Sequence, residues 1–341
     1  MTKDQSGNKT ALLTIFLLVM LLVLMLFSLS LGRAGGPVLD LLPWDALGAT
    51  GKALGKTEWI ILMDIRLPRS FLAVITGITL GLSGAAMQGL FRNPLADPGI
   101  IGTSSTASLG AVIVLYFGLG GGHFLALPAG GITGALLGLI GLYILTGRHP
   151  TTTGFILAGV ALGTLAVSLS SLALNLAPSP YASLEILFWM MGSVADRSFS
   201  QIWVALPFMG AGWVLILTSG RGIDALSLGE EGATSLGFNV SYLQARIVIG
   251  SALCVGASVS ISGAIGFVGL TVPHLLRPLV GYQPKALLIP SALGGGVLVL
   301  MADLAVRAMP PGPELKLGVL TAIVGAPFFF WLLVRYRKEM L

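Results

Sequence analysis

Residues 70–91 read SFLAVITGITLGLSGAAMQGLF, twenty-two residues without a charged side chain. A bilayer crossing takes about 20 consecutive apolar residues, so length and composition alone make this stretch a membrane helix. Its glycines would weaken a helix in water. In a membrane they let neighbouring backbones approach closely, and the 47 glycines of the chain read as packing.

The stretch has an echo further along. Shifted by 179 residues, Ala73, Gly77, Ser83, Gly84, Ala85, Pro94 and Gly102 fall on Ala252, Gly256, Ser262, Gly263, Ala264, Pro273 and Gly281. An internal repeat follows, with one copy over about 60–184 and the other over about 240–335. Five crossings separate the copies, so they insert in opposite directions, the plan of many transporters.

Similar uncharged runs fill most of the chain: 11–32, 99–122, 124–147, 150–184, 198–220, 247–273, 286–302 and 317–334. The run 247–273 overshoots one span, and Pro273 with Gly281 brackets an interrupted helix, so a short crossing is expected around 270–282. The expected fold is an all-α polytopic membrane protein, a single transmembrane domain over 1–341 with about ten transmembrane helices and an inverted internal repeat. Lys3 and Lys9 precede the first run, in which the 21 uncharged residues from Ala11 to Leu31 exceed a signal-peptide core of roughly 7 to 15. It is expected to be the first membrane helix, with N- and C-termini in the cytoplasm. That orientation puts ten Lys/Arg inside and eight outside, a weak positive-inside bias. The reverse would expose the Arg335, Arg337, Lys338 cluster and the N-terminal lysines together.

Composition excludes several classes. Hydrophobic residues make up 55% and charged ones 10% of the 341 residues, against roughly 25% charged in soluble domains. The net charge of +5 is scattered, with no basic run interleaved with aromatics to follow a nucleic-acid backbone. Cys254 is the single cysteine, and His123, His149 and His274 are too far apart for a local ligand set, so no metal site is expected. No nucleophile–base pair marks a catalytic residue. Gly51-Lys-Ala-Leu-Gly55-Lys56-Thr57 imitates a phosphate-binding loop, but it has three residues between its glycines instead of four and no preceding strand. The chain is not expected to hydrolyse ATP by itself.

The longest polar break, residues 221–246, reads RGIDALSLGEEGATSLGFNVSYLQAR. Gly229 and Gly237 bracket a short amphipathic stretch with Glu230 and Glu231 in its first turn, where acids favour the helix dipole. It has the form of a docking helix. Arg66 and Arg69 are three apart at the entrance of the second crossing, neighbours on a helix face. The segment 92–99, RNPLADPG, holds two prolines and reads as a turn. His274 and Arg277 lie at membrane depth, where an ionisable group is expensive; a structural role near the broken helix is expected. Gly130, Gly134 and Gly138 repeat every four residues and mark a packing face. Thr103, Ser104, Ser105, Thr106 and Ser108 on the third helix, and Ser168, Ser170, Ser171 and Asn175 on the fifth, satisfy ordinary packing.

Five stretches together carry a resemblance: the 221–246 segment, Arg66-Leu-Pro-Arg69, SGAAMQGLFRNPLADPGIIGTSS at 83–105, SGAIGFVGLTVPHLLRPLVG at 262–281, and ELKLGVLTAIVGAPFFFWLL at 314–333. The chain resembles the FecCD-type permease subunits of bacterial ABC importers for iron siderophores, haem and cobalamin. Lys316 departs from the family pattern, which more often has proline there, and this touches only the local turn.

The resemblance implies import across the bacterial inner membrane, without cofactors, and the following roles. Residues 224–239 would be the coupling helix beneath which two ABC ATPase subunits work, through Leu226, Leu228, Gly229, Glu230, Glu231, Ala233, Leu236 and Gly237. Arg66 and Arg69, with Arg307, would receive acidic residues of a periplasmic or lipid-anchored binding protein. The fifth helix would line a pathway between two permease copies, with Ser171 and Asn175 facing it. The cargo would be an iron chelate, ferric siderophore or haem, with cobalamin as the alternative. An ion-coupled secondary transporter is the competing class. It commonly embeds carboxylates among its helices, and none of the fourteen here interrupts a long apolar run.

Overall fold

The computed structural model describes residues 3–31, 56–119, 123, 125–147, 151–309 and 314–339, and every regular element among them is helical. In chain order these are α1 (Lys3–Ser30), α2 (Lys56–Ile60), α3 (Leu67–Leu90), α4 (Thr103–Tyr116), α5 (Ala126–Thr146), α6 (Thr152–Asn175) and α7 (Pro180–Met190). There follow α8 (Phe199–Thr218), α9 (Gly220–Leu226), α10 (Glu230–Ser235), α11 (Val240–Ser262), α12 (Val268–Leu276), α13 (Pro284–Ala308) and α14 (Leu317–Glu339). A π-helical turn, Ile61–Arg66, leads into α3.

Among the described residues seven helices are long and apolar enough to cross a bilayer: α1, α3 with its π turn, α5, α6, α8, α11 and α13. Three shorter apolar segments, Thr103–Tyr116, Val268–Val280 and Leu317–Leu332, stand at the remaining three places where the sequence predicts a crossing. The chain is thus an all-helical, multi-pass membrane protein.

Three boundaries differ from expectation. The run 150–184 is two helices, because Ala177 to Ser179 leave the helix and the Ser179 hydroxyl caps α7 by accepting from the Ala182 N–H at 3.2 Å. The interruption before α12 lies at 263–267, between left-handed Gly263 and Phe267, and Pro273 sits inside α12. The polar break is largely helical, since α11 starts at Val240, capped by the Asn239 side chain. The glycines of the phosphate-loop imitation, together with Arg33, Lys52, Arg148 and His149, lie outside the described residues.

The centre of the bundle is α3, α11 and α13, whose apolar windows are largely buried, while α1, α6 and α8 turn mostly outward. The α3–α13 contact is the most extensive, and it is close. A Cβ added at Gly77 would lie 2.2 Å from the Gly295 carbonyl oxygen, and one at Gly81 would lie 2.0 Å from that of Ser291. Only glycine permits this approach. The face predicted from Gly130, Gly134 and Gly138 does pack closely, against Gly110 and Thr106 of α4. The Ser83 and Cys254 side chains meet at 3.1 Å and join α3 to α11.

Two 3-10 turns, Pro98–Ile101 and Arg277–Val280, stand 179 positions apart and end on the left-handed glycines Gly102 and Gly281. Asp97 caps the first through the Gly99 N–H at 2.8 Å, and burial raises its carboxyl above the usual range against that bond.

Candidate docking and translocation sites

The chain offers two polar ends. Gly89, near the C-terminus of α3, packs against Ile223 of α9, whereas Arg66 and Arg69 stand at the N-terminus of the same helix. A 24-residue helix is about 36 Å long, so the arginines and the α9–α10 motif lie at opposite ends of the bundle.

At the first end α1 stops, leaving its last carbonyls without helical partners. Arg66 donates from Nη1 to the carbonyls of Leu29 (2.9 Å) and Ser30 (3.2 Å). Arg307 donates from Nη1 to those of Ser28 (2.9 Å) and Leu31 (3.2 Å), and from Nη2 to the Ser28 hydroxyl. Two guanidinium groups thus cap one helix terminus, and positive charge there also suits the helix dipole. Asp303 holds the cluster together. Its Oδ1 accepts from Arg69 Nε at 2.8 Å and its Oδ2 pairs with Arg307 at 2.5 Å. Arg69 further pairs with Glu314 at 2.5 Å.

In this arrangement Arg66 and Arg307 are each only 6% exposed, and their donors serve the end of α1. Arg69, with 13% of its side chain exposed, is the least enclosed. One expectation, on embedded carboxylates, is corrected. Asp303 stands one residue past the run 286–302, yet it lies inside α13 and is fully buried. An acid four residues before an arginine on one helix is a recognisable pair, and Asp303 with Arg307 was legible in that way.

At the second end α9 and α10 fold back on each other. Leu226 and Ala233 are buried (2% and 0% exposed), while Leu228 and Leu236 are open (69% and 59%). Leu226 and Ala233 therefore anchor the motif, and the surface belongs to Leu228, Glu230, Glu231, Leu236 and Gly237, with Gly229 half-buried. Gly229 takes φ +96° to begin α10. Gly237, at φ +86°, ends it with paired bonds, Phe238 N–H to the Ala233 carbonyl (3.1 Å) and Gly237 N–H to that of Thr234 (2.9 Å). The Asp224 carboxylate accepts from the Lys285 N–H at 2.7 Å, which seats α9 on the first turn of α13.

Between the ends, Ser171 and Asn175 lie exposed on α6 in line with Thr164 and Ser168. The Ser171 hydroxyl donates to the Val167 carbonyl at 2.9 Å, so its helix satisfies it while the face stays open. Around α12, Gln88 was not singled out by the sequence. Pro273 has no N–H for the Gly269 carbonyl, and the Gln88 amide donates to the carbonyls of Gly269 (3.4 Å) and Leu270 (3.2 Å). Gln88 Oε1 accepts from Arg277 at 2.5 Å. Arg277 thus supports the broken helix through Gln88, and the His274 ring meets Phe328 edge-on.

Among the described residues no group of three or more potential metal ligands occurs. A multi-pass helical body with a buried ionic clamp at one end and a projecting two-helix motif at the other defines a membrane permease. The chain belongs to the FecCD transport family, whose pattern matches residues 17–335. It is 37% identical over 331 residues to the hemin transport system permease protein HmuU of Yersinia pestis, covering 95% of this chain and 96% of the relative. It is 36% identical over 337 residues to the vitamin B12 import system permease protein BtuC of Salmonella newport, covering 98% of each. A solved structure described as an inward-facing metal-chelate type ABC transporter superposes with a TM-score of 0.83 at 28% identity, over 94% of this chain and 98% of that one.

Proposed function

We propose that this ABC-importer permease carries an iron chelate, a ferric siderophore or haem, inward across the bacterial inner membrane, working as two copies above two separate ATPase subunits. Cobalamin is the second cargo, favoured by the likeness to BtuC. The observation that carries the reading is the α9–α10 motif, with buried Leu226 and Ala233 holding exposed Leu228 and Leu236 outside the membrane-spanning body. Exposed leucines beside two acids fit a groove on another protein better than they fit water. We read residues 224–239 as the coupling element and both termini as cytoplasmic.

The two 3-10 turns in register support a permease domain built from two inverted copies, 60–184 and 240–335. Ser171 and Asn175 would face the pathway between two permeases. A binding protein would meet the opposite end through Arg69. An ion-coupled carrier fits less well: the buried carboxylate of Asp303 is paired by two arginines and is not poised to exchange an ion. Reconstitution with the ATPase and a binding protein tests the reading. ATP-dependent uptake of haem, ferric siderophore or cobalamin into proteoliposomes is the expected result; uptake by this chain alone without ATP overturns it.

A further inference from the structure

The turn that follows α3 is built against local preference. At the end of that helix the Asn93 N–H donates to the Gln88 carbonyl at 3.1 Å and the Arg92 N–H to that of Gly89 at 3.3 Å. This pair of bonds closes a helix by turning one residue into the left-handed region, a place usually held by glycine and sometimes by asparagine. Among the described residues the same pair closes three other helical segments, and there the turning residues are Gly118, Gly237 and Gly281. After α3 it is Arg92, at φ +48°. A residue with a Cβ is strained in that region, so an arginine standing where glycine serves elsewhere points to a use for its guanidinium.

The Arg92 side chain is exposed. Its Nη1 lies 3.7 Å from the point where a Cβ on Gly229 would stand, so the guanidinium rests beside the residue that begins α10. One turn back on α3, Gly89 leaves room for the Ile223 side chain of α9, which a Cβ there would meet at 2.3 Å. The end of α3 and the α9–α10 motif are thus in contact at two points. Among the described residues the Arg92 side chain has no hydrogen bond or ion pair, whereas Arg66, Arg69 and Arg307 use their donors within the fold. A guanidinium carries five N–H donors in a planar fork that fits a carboxylate. Here that fork is open to solvent at Gly229, whose chain neighbours Leu228 and Glu230 are exposed as well.

We propose that Arg92 completes the contact surface of the α9–α10 motif by pairing with a carboxylate on the ATPase subunit. The inference rests on reading residues 224–239 as the coupling element and adds to it a cation from a different segment of the chain. Residues 224–239 hold two glutamates and one aspartate and no lysine or arginine. Arg92 therefore gives one side of an otherwise acidic surface a positive charge, which fixes the way round in which a partner sits.

Replacing Arg92 by glycine removes the guanidinium and relieves the left-handed residue at once, so docking and stability should part. With the full-length permease in lipid nanodiscs and the ATPase subunit titrated onto it, Arg92→Gly is expected to weaken binding about fivefold at low salt, the upper value for a partly exposed ion pair. The loss should shrink at high salt, and the Tm should equal or exceed that of the wild type. Arg92→Asn, also at home in left-handed backbone, should behave in the same way. Unchanged affinity, an equal loss at high salt, or a fall of Tm in both variants overturns the proposal. So does a loss confined to nanodiscs of anionic lipid, which would make a headgroup phosphate the partner. If Leu228→Asp with Leu236→Asp weakens ATPase binding while Arg92→Gly does not, the coupling reading stands without Arg92; if neither weakens it and ATP-driven uptake is absent, that reading fails as well.

Discussion

The two polar ends of this protein use similar raw material in opposite ways. At the α1 end, Arg66, Arg69, Arg307, Asp303 and Glu314 turn inward and join four elements through charge-assisted bonds. At the α9–α10 end, Glu230, Glu231, Leu228 and Leu236 turn outward, while buried Ile223, Leu226 and Ala233 and the bond from the Lys285 N–H to Asp224 hold the motif to the body. The difference lies in available partners. An arginine beside unsatisfied helix carbonyls and a buried carboxylate has a better place inside than in water; Glu230 and Glu231, in the exposed first turn of α10, are served by water. Charge in a sequence marks a polar end, and geometry decides whether that end is a clamp or a contact surface.

Changes at the two ends should therefore separate stability from transport. The largest effect is expected from Asp303→Ala, which leaves Arg69 and Arg307 buried without their shared anion and should cost about 3–5 kcal/mol. Thermal unfolding in detergent would show it as a large drop in Tm, and an unchanged Tm would mean that the cluster is not a clamp. Next comes Ala233→Leu. Overfilling the seat of α10 should cost about 1–3 kcal/mol and loosen the motif, read as faster proteolysis between residues 226 and 240. The smallest effect on stability belongs to Leu228→Asp with Leu236→Asp, within about 0.5 kcal/mol for exposed positions. The same variant should reduce ATP-dependent uptake at least tenfold if these leucines seat in the ATPase. Wild-type uptake with a normal Tm would place the coupling contact elsewhere.

The same contrast explains what could be read before the fold was known. The seven long crossings are legible because lipid demands about 20 apolar residues per helix, and the motif at 224–239 because a polar stretch that long stands out among the apolar runs. Which faces are buried is not legible. In water an outward face is polar, whereas in lipid it is as apolar as the core, so α1 and α3 look alike although one is largely exposed and the other largely buried. Lys316 shows the limit at a single residue. Its sequence context suggests only a change of turn, and the fold brings it over Phe188, 128 positions earlier.

The sequence by itself determined a charge-poor, all-helical, multi-pass protein, its ten apolar segments, its family and the place of its projecting motif, since these follow from local composition and spacing. Tertiary structure decided that Arg66 and Arg307 cap α1, that Asp303 lies at the centre of the ionic cluster, and that Gln88 mends the break left by Pro273. Each of those depends on groups far apart in the chain meeting within about 3 Å, where desolvation and hydrogen-bond geometry take over from sequence pattern.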